Sequence, residues 1–466
     1  MNEETKFQPL NWWKTVLLML GAVACFHAAY TPAQPGMFSL LIIGYVVGVV
    51  QLARMRTRRL AFYIGLVVGL ACYAPQLEFF WTIFGRGAIA LWLVLAFWIA
   101  LFVALAHVAL VRFGVKRAVW LVPFLWTGLE YFRSELYYLK FAWLNVGFAF
   151  ANSNYSSLFP NFTMLGVYGV GFVIAVFASC FAFRNYSTTI ITTAVMVLTL
   201  WLLSPRFVNV RLLPPPLIAG VQLEFPNHSE IQQALDKIVA TRTNVDLIVL
   251  SEYALDDPPS EQLKNWCRNN EKFLIIGGKE PALGNNYYNT AFVIGTNGEV
   301  VFKQAKSVPI QFFKDGLPAP EQRVWESPWG KIGICICYDL SYARVTDELV
   351  RQGAQLLIVP TMDVAEWGAH QHELHARIAP VRAAEYGIPI FRLASSGISQ
   401  GVDWRGRQNV SAPYPGEDEI IFFGTRLATT PSLPLDRWLA PLCVGVTGIF
   451  VAWLAVGRFF VRRFRG

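Results

Sequence analysis

The sequence predicts a multi-pass α-helical membrane domain joined to a soluble α/β domain. Hydrophobic residues make up 55% of the 466 residues and charged residues only 15%, whereas soluble domains carry about a quarter charged residues. Apolar runs long enough to cross a bilayer, which takes about 20 residues, fill the first 205 positions and recur near the C-terminus. Between them lie more than two hundred residues of ordinary soluble composition.

Eight apolar runs are candidates for membrane spans. Seven precede the soluble stretch and one follows it. They divide the chain into a transmembrane domain at 1–205, a soluble domain at 206–433 and a last span with a basic tail at 434–466. The runs lie at residues 12–30, 37–53, 60–80, 87–111, 117–135, 163–183, 187–204 and 437–457.

Basic residues in the loops predict the orientation of the chain. Four arginines lie between residues 54 and 59, three basic residues between 112 and 117, and four arginines between 458 and 465. Loops rich in Lys and Arg stay in the cytoplasm, so both termini are expected there. The soluble domain follows an odd number of spans and is therefore expected outside the cytoplasm. The net charge of +8 is explained by these loops and does not indicate a nucleic-acid partner.

The soluble stretch alternates strand and helix signals, which predicts a layered α/β domain with mostly buried strands. Asn297-Gly298 indicates a hairpin turn. The predicted helices are Ser229–Thr241, Val345–Gln352 and His370–Tyr386. The predicted strands are Leu217–Leu223, Leu247–Leu250, Phe273–Gly277, Ala291–Ile294, Ile332–Cys337, Leu356–Val359 and Ile388–Leu393.

Three reactive residue types stand at or just after strand signals. Glu252 follows a buried run, a lysine (Lys303 or Lys306) follows the hairpin, and Cys337 ends another buried run. A thiol attacks a carbonyl as the thiolate and needs a nearby base, which Glu252 would supply. A lysine ammonium, with the backbone N–H after the cysteine, would stabilise the resulting oxyanion.

The remaining cysteines and histidines suggest neither disulfides nor a metal site. The seven cysteines are scattered, without a paired framework. His372 and His375 would share one helix face, while His370 would point elsewhere. No cysteine or paired carboxylate completes a ligand set, so these histidines are expected to be structural. We expect no metal and no cofactor.

Several motifs carry a family resemblance, and together they run over most of the chain. The soluble half resembles the nitrilase (carbon–nitrogen hydrolase) superfamily, and the whole chain resembles the apolipoprotein N-acyltransferase family. In the membrane half the motifs are Phe141-Ala-Trp-Leu-Asn-Val-Gly-Phe and Leu165-Gly-Val-Tyr-Gly-Val-Gly-Phe. In the soluble half they are Tyr287-Tyr-Asn-Thr, Gln352-Gly-Ala-Gln-Leu-Leu, His370-Gln-His-Glu-Leu-His-Ala-Arg and Arg382-Ala-Ala-Glu-Tyr-Gly-Ile-Pro.

The resemblance implies an α-β-β-α sandwich with a Glu–Lys–Cys triad. Glu252 would be the general base and Cys337 the nucleophile. The resemblance favours Lys306 as the lysine, just before Val308-Pro309, and leaves Lys303 as the alternative.

The sequence departs from the family pattern in three places. The glutamate usual in the loop after Pro309 is missing, Asp339 replaces a glutamate after Cys-Tyr, and Ser251 replaces a proline before Glu252. Because these positions lie near the expected pocket, the departures leave the identity of the acyl acceptor undetermined.

The function implied by the resemblance is N-acylation at the bacterial cytoplasmic (inner) membrane, with the catalytic domain on the periplasmic side. A fatty acyl chain would move from a membrane phospholipid, through a cysteine thioester, to the α-amino group of a lipoprotein's N-terminal cysteine. The protein would act as a monomer. The alternative is a membrane-anchored carbon–nitrogen hydrolase (amidase), or an acyltransferase with a different amine acceptor.

Overall fold

The computed structural model describes residues 8–31, 38–151, 162–183, 215–416, 418–428 and 431–463. These residues form two compact units. The helical unit comprises Met1–Ser153, Met164–Ser204 and Pro434–Gly466, and the α/β unit comprises Asn154–Thr163 and Pro205–Leu433.

Apolar helices build the helical unit. Within the described ranges, five helical stretches are long and apolar enough to cross a membrane. The predicted run at 187–204 lies outside the described residues. The helices are α1 (Trp12–Ala29), α2 (Leu41–Leu52), α3 (Arg58–Gln76), α4 (Phe79–Phe84), α5 (Gly87–Tyr131), α6 (Phe162–Ala182) and a last helix, Asp436–Arg463.

A glycine interrupts the longest of these helices. The predicted run 87–111 and most of the predicted run 117–135 lie within α5 (Gly87–Tyr131), which is interrupted at Gly114, whose φ of 70° and ψ of 172° are not helical. Only glycine adopts such a conformation readily, and so Gly114 separates the two helical spans. The predicted run 60–80 is divided after Gln76, since α3 ends there and the short α4 begins at Phe79.

A buried polar cluster lies at the end of α5. Arg133 and Glu130 are 2% and 8% exposed. Arg133 donates hydrogen bonds to Tyr73 Oη, at 3.0 Å, and to Asn145 Oδ1. Glu130 Oε1 accepts from the Val146 N–H at 3.0 Å. Charged groups are costly in an apolar bundle, and these hydrogen bonds compensate part of that cost.

Two six-stranded sheets form the centre of the α/β unit. Their strand orders are β12-β1-β2-β3-β4-β5 and β11-β10-β9-β8-β7-β6. The strands are β1 (Leu217–Val221), β2 (Leu247–Val249), β3 (Phe273–Pro281), β4 (Tyr287–Ile294), β5 (Val300–Ala305), β6 (Val324–Ser327), β7 (Gly330–Ile334), β8 (Leu356–Thr361), β9 (Ile390–Ala394), β10 (Ser399–Val402), β11 (Gln408–Ala412) and β12 (Ile420–Gly424).

Among the residues of this unit that the structure describes, five α-helices accompany the sheets, and the membrane-type helix named above follows them as α12. The five are α7 (His228–Thr241), α8 (Glu261–Asn270), α9 (Ala343–Arg351), α10 (Ala369–Ala376) and α11 (Ile378–Tyr386). The predicted single helix His370–Tyr386 is wrong, because α10 and α11 separate at Arg377. Pro380 has no N–H to donate to the carbonyl of residue 376, which favours the break.

The side chains of each strand point alternately to the two faces of its sheet, so each face of a sheet packs against a different layer. One face of the first sheet packs against the second sheet through Val249, Ile275, Ile358 and Leu393, all fully buried. The other face of the first sheet packs against the apolar sides of α7 and α8. Helix α11 contacts β9 and β10 on the second sheet. The α-β-β-α sandwich is therefore confirmed.

Strand direction brings several loops to one edge of each sheet. β1, β2 and β3 are mutually parallel, and β5 runs parallel to β3 because both flank β4 in antiparallel pairing. In the second sheet β7, β8 and β9 are parallel. The residues that follow β2 and β5, and those that follow β7 and β8, therefore lie at carboxyl ends of strands, where sites in α/β folds collect.

Candidate active site

Glu252 follows β2 and is held by three hydrogen bonds. Its Oε1 accepts from Lys306 Nζ at 2.8 Å and from Asn289 Nδ2 at 2.6 Å, and its Oε2 accepts from the Met362 N–H at 2.7 Å. A Cβ at Gly277 of β3 would lie 2.6 Å from the Glu252 Cα. The neighbouring strand therefore needs glycine at this point for the Glu252 backbone to approach.

Lys306 follows β5 and is completely buried between two carboxylates. Its Nζ lies 2.8 Å from Glu252 Oε1 and 2.7 Å from Asp315 Oδ2. The alternative lysine, Lys303, is half-exposed and pairs with Glu280 at the surface. Alternation along β5 turns Lys303 outward, so Lys306 is the lysine that lies beside Glu252.

Asp315 is a member of this cluster that the sequence pattern did not reveal. Its Oδ1 accepts hydrogen bonds from Tyr253 Oη at 2.9 Å and from Asn289 Nδ2 at 3.0 Å. The glutamate expected soon after Pro309 is missing, but Asp315 returns a carboxylate to the site from farther along the loop. The Asp-Gly pair is the signal that was available: Gly316 has a φ of 80°, and a Cβ there would lie 2.9 Å from the backbone of β4.

Cys337 begins a short 3-10 helix, Cys337–Ser341, rather than ending the strand. The predicted strand Ile332–Cys337 is wrong at its end, because β7 stops at Ile334. Cys337 has a φ of 52°, a left-handed conformation that costs free energy for a residue with a Cβ. Its thiol is buried and donates a long hydrogen bond of 3.8 Å to the Met362 carbonyl.

Asp339 ties the Cys337 turn to the loop that follows Lys306. Its carboxylate accepts from the N–H groups of Ser307 at 3.0 Å, Val308 at 2.7 Å and Ile336 at 3.1 Å. Burial raises the pKa of Asp339 to about 6, although these N–H donors oppose the rise. Asp339 therefore fastens the Cys337 turn to the loop after Lys306, and its side chain, one carbon shorter than that of glutamate, is long enough for these contacts.

Burial and charge set the protonation of the site. Burial raises the pKa of Glu252, and Lys306 opposes that rise. Burial alone would lower the pKa of Lys306, but Glu252 and Asp315 raise it well above its usual value. Burial and the Glu252 charge raise the pKa of Cys337 well above its usual value, and Lys306 lowers it. At neutral pH the resting cysteine is therefore a thiol that needs a base.

The three predicted histidines do not gather into a metal site. His370 lies 3.7 Å from Glu373, whereas His372 and His375 lie 3.8 Å and 2.8 Å from Asp363. Within the described parts of the chain, no group of three or more His, Cys, Asp or Glu side chains has the arrangement of a metal site.

Both halves of the chain match families of known proteins. Residues 208–424 match the family described as carbon–nitrogen hydrolase, and residues 20–180 match the apolipoprotein N-acyltransferase N-terminal domain. An apolipoprotein N-acyltransferase of Geobacter metallireducens is 26% identical over 80% of this chain and 82% of that protein. One of Shewanella oneidensis is 24% identical over 86% of this chain and 88% of that protein.

Solved structures also resemble the chain. The crystal structure of Saccharomyces cerevisiae Nit3, a member of branch 10 of the nitrilase superfamily, matches with 21% identity and a TM-score of 0.39. The match covers 46% of this chain and 90% of that one.

Alkylation of Cys337 tests the electrostatics of this site. Lys306→Met removes the cation that lowers the pKa of the thiol, so alkylation by iodoacetamide at fixed pH is expected to slow. Glu252→Gln removes a charge that raises this pKa, so alkylation is expected to quicken. We expect rate changes of about tenfold, which correspond to a change of about one in pKa. The measurement is mass spectrometry of the Cys337 peptide.

Lys303→Met is the matched control for this experiment. It removes a lysine from the same strand region without touching Glu252, and its alkylation rate is expected to equal that of the wild type. A slower rate for Lys303→Met, with a wild-type rate for Lys306→Met, would contradict the assignment of the lysine.

Proposed function

Because this chain belongs to the apolipoprotein N-acyltransferase family, we propose that it N-acylates lipoproteins at the bacterial inner membrane. The acyl donor is a membrane phospholipid. The acceptor is the α-amino group of a lipoprotein's N-terminal cysteine. Glu252, Lys306 and Cys337 carry the reaction, and the protein acts as a monomer.

The observation that carries the proposal is that the buried Lys306 ammonium lies between Glu252 and Asp315. The charges of these three groups also shift the pKa of the Cys337 thiol. An ammonium has three N–H donors, and the two carboxylates engage two of them. The third remains for the oxygen of a substrate carbonyl, whose negative charge grows as the thiol attacks.

Formation of a thioester is the first half of the reaction. Glu252, whose raised pKa suits a proton acceptor, takes the Cys337 proton as the sulfur attacks the ester carbonyl of the phospholipid. Lys306 stabilises the oxyanion of the tetrahedral intermediate. The intermediate expels the lysophospholipid oxygen, which takes the proton back from Glu252 and leaves the acyl chain on Cys337.

Transfer to the amine is the second half. The neutral α-amine attacks the thioester carbonyl, Glu252 accepts a proton from the amine nitrogen, and the sulfur leaves to recover a proton. Water would otherwise hydrolyse the thioester, and exclusion of water protects such intermediates. Burial of all three side chains, each at most 2% exposed, favours transfer over hydrolysis.

Intact mass spectrometry tests the thioester step. The protein is incubated with phospholipid vesicles, and we expect wild type to gain one fatty acyl mass that hydroxylamine removes. Cys337→Ala is expected to gain none because it lacks the attacking sulfur. The matched control is Cys335→Ala, which removes a buried thiol two positions away and is expected to keep the adduct. An adduct that persists in Cys337→Ala would contradict the assigned nucleophile.

The basic loops support an orientation in which the α/β unit lies on the periplasmic side. Reporter fusions test it, and a phosphatase that is active only outside the cytoplasm is a suitable reporter. A fusion at Pro216 is expected to be active, and one at the C-terminal Gly466 inactive, because seven predicted spans precede the first point and eight precede the second. Activity at Gly466 with none at Pro216 would reverse the orientation.

A further inference from the structure

Met362 is the one residue whose backbone contacts both Glu252 and Cys337 among the hydrogen bonds of the described residues. Its N–H donates to Glu252 Oε2 at 2.7 Å, and its carbonyl accepts from Cys337 Sγ at 3.8 Å. Met362 follows β8, whereas Glu252 follows β2 in the other sheet. The position of the Met362 backbone therefore sets how the base and the nucleophile are spaced.

The next residue, Asp363, is clamped through its backbone. Its N–H donates to Ser395 Oγ at 3.0 Å, and the same hydroxyl donates back to the Asp363 carbonyl at 3.0 Å. The Ser396 N–H also donates to that carbonyl, at 3.2 Å. These bonds join the segment after β8 to the segment after β9, and so Met362 has a fixed anchor on its C-terminal side.

The Asp363 side chain forms a buried ion pair with a cation on β9. Arg392 Nη2 lies 2.5 Å from Asp363 Oδ2, and Arg392 Nη1 donates to the Ile398 carbonyl at 2.5 Å. Asp363 Oδ1 lies 2.8 Å from His375 Nδ1. Asp363 and Arg392 are both completely buried. β9 and the residues that follow it thus hold both the side chain and the backbone of Asp363.

Stability alone does not account for such a pair. Replacing a buried ion pair by apolar residues of similar volume is often neutral or stabilising, whereas a charged pair can specify one geometry. Asp363 is one residue away from Met362, whose backbone contacts both Glu252 and Cys337. The geometry that the Asp363–Arg392 pair specifies is therefore that of these two contacts.

We propose that Asp363 and Arg392 are positioning residues, whose ion pair together with the Ser395 clamp holds the Met362 backbone at the spacing that Glu252 and Cys337 require. Neither residue touches the substrate. The effect on acyl transfer rests on the proposed function, whereas the effect on the thiol itself does not.

The charges of the pair give the proposal a distinctive readout. The groups that act on the Cys337 thiol include Glu252, Lys306, Asp315 and Asp363, and the Asp363 charge raises the thiol pKa. Removing that charge exposes the thiol to an unpaired cation, and removing the cation exposes it to an unpaired anion. The two changes therefore move the thiol in opposite directions.

Two histidines are the other titratable groups beside this ion pair. His372 and His375 face Asp363. Burial lowers the pKa of His375, and the Arg392 charge lowers it further against the opposing pull of Asp363. His375 is then neutral at neutral pH. The balance of charge around Asp363 thus depends on Arg392.

The experiment measures two quantities on the full chain in detergent micelles. The first is the rate of Cys337 alkylation by iodoacetamide from about pH 6 to about pH 10, a range that brackets ordinary and raised thiol pKa values. The second is the rate of single-turnover acylation by phospholipid. The variants are Asp363→Asn, Arg392→Gln and Ser395→Ala, and the matched control is Asp347→Asn, a buried carboxylate that accepts a hydrogen bond from Tyr386.

We expect the alkylation profile to move to lower pH in Asp363→Asn and to higher pH in Arg392→Gln. Acylation should fall in both by about 100-fold, as expected when reacting groups are displaced by about 1 Å. Ser395→Ala leaves every charge in place, so it should slow acylation without moving the alkylation profile. Asp347→Asn should change neither quantity.

Profiles that move in the same direction in the two charge variants would overturn the proposal, because loss of packing rather than charge would explain them. Wild-type acylation in folded Ser395→Ala would overturn it as well, and this variant remains informative if the charge variants do not fold. If the wild type accepts no acyl chain, the proposed function fails, whereas opposite movements of the profiles would still support the assigned cluster.

Discussion

The ammonium of Lys306 lies within 2.8 Å of Glu252 and within 2.7 Å of Asp315, and all three groups are buried. Removing one partner from a buried ion pair costs about 3–5 kcal/mol, because the other charge is left uncompensated. The site therefore depends on the whole set. Two carboxylates against one cation also leave an excess of negative charge. Burial raises the pKa of Glu252, Lys306 opposes that rise and Asp315 adds to it, and the raised pKa suits Glu252 to accept a proton from a thiol.

The sandwich is arranged so that both sheets contribute to this set. Glu252 and Lys306 follow strands of the first sheet, whereas Cys337 and Met362 follow strands of the second. Hydrogen bonds from backbone N–H groups join the sheets at the site. The Met362 N–H donates to Glu252, and Asp339 accepts from the N–H groups of the loop after Lys306. A small shift of one sheet against the other would therefore separate Glu252 from Cys337.

The sequence alone predicts much of this arrangement, and its failures have physical causes. Glu252 could be found because a buried apolar strand precedes it, a strong local signal. The exact start of the Cys337 turn could not, since an extended pattern looks the same whether the chain continues straight or turns into αL. Asp315 was missed because a long loop returns it to the site, and loop closure leaves no periodic signal. Several strands, such as Gln408–Ala412, are partly exposed and polar, so hydrophobic alternation does not mark them.

A chase experiment on the acyl-enzyme tests the central claim most directly. The protein is first loaded in vesicles whose phospholipids carry isotopically heavy acyl chains, and then mixed with light vesicles and a peptide that bears an S-diacylglyceryl N-terminal cysteine. The account predicts that the heavy chain leaves Cys337 and reappears in an amide on the peptide's α-amine. Release of the heavy chain only as free fatty acid, with the peptide unmodified, would contradict the account and identify a hydrolase.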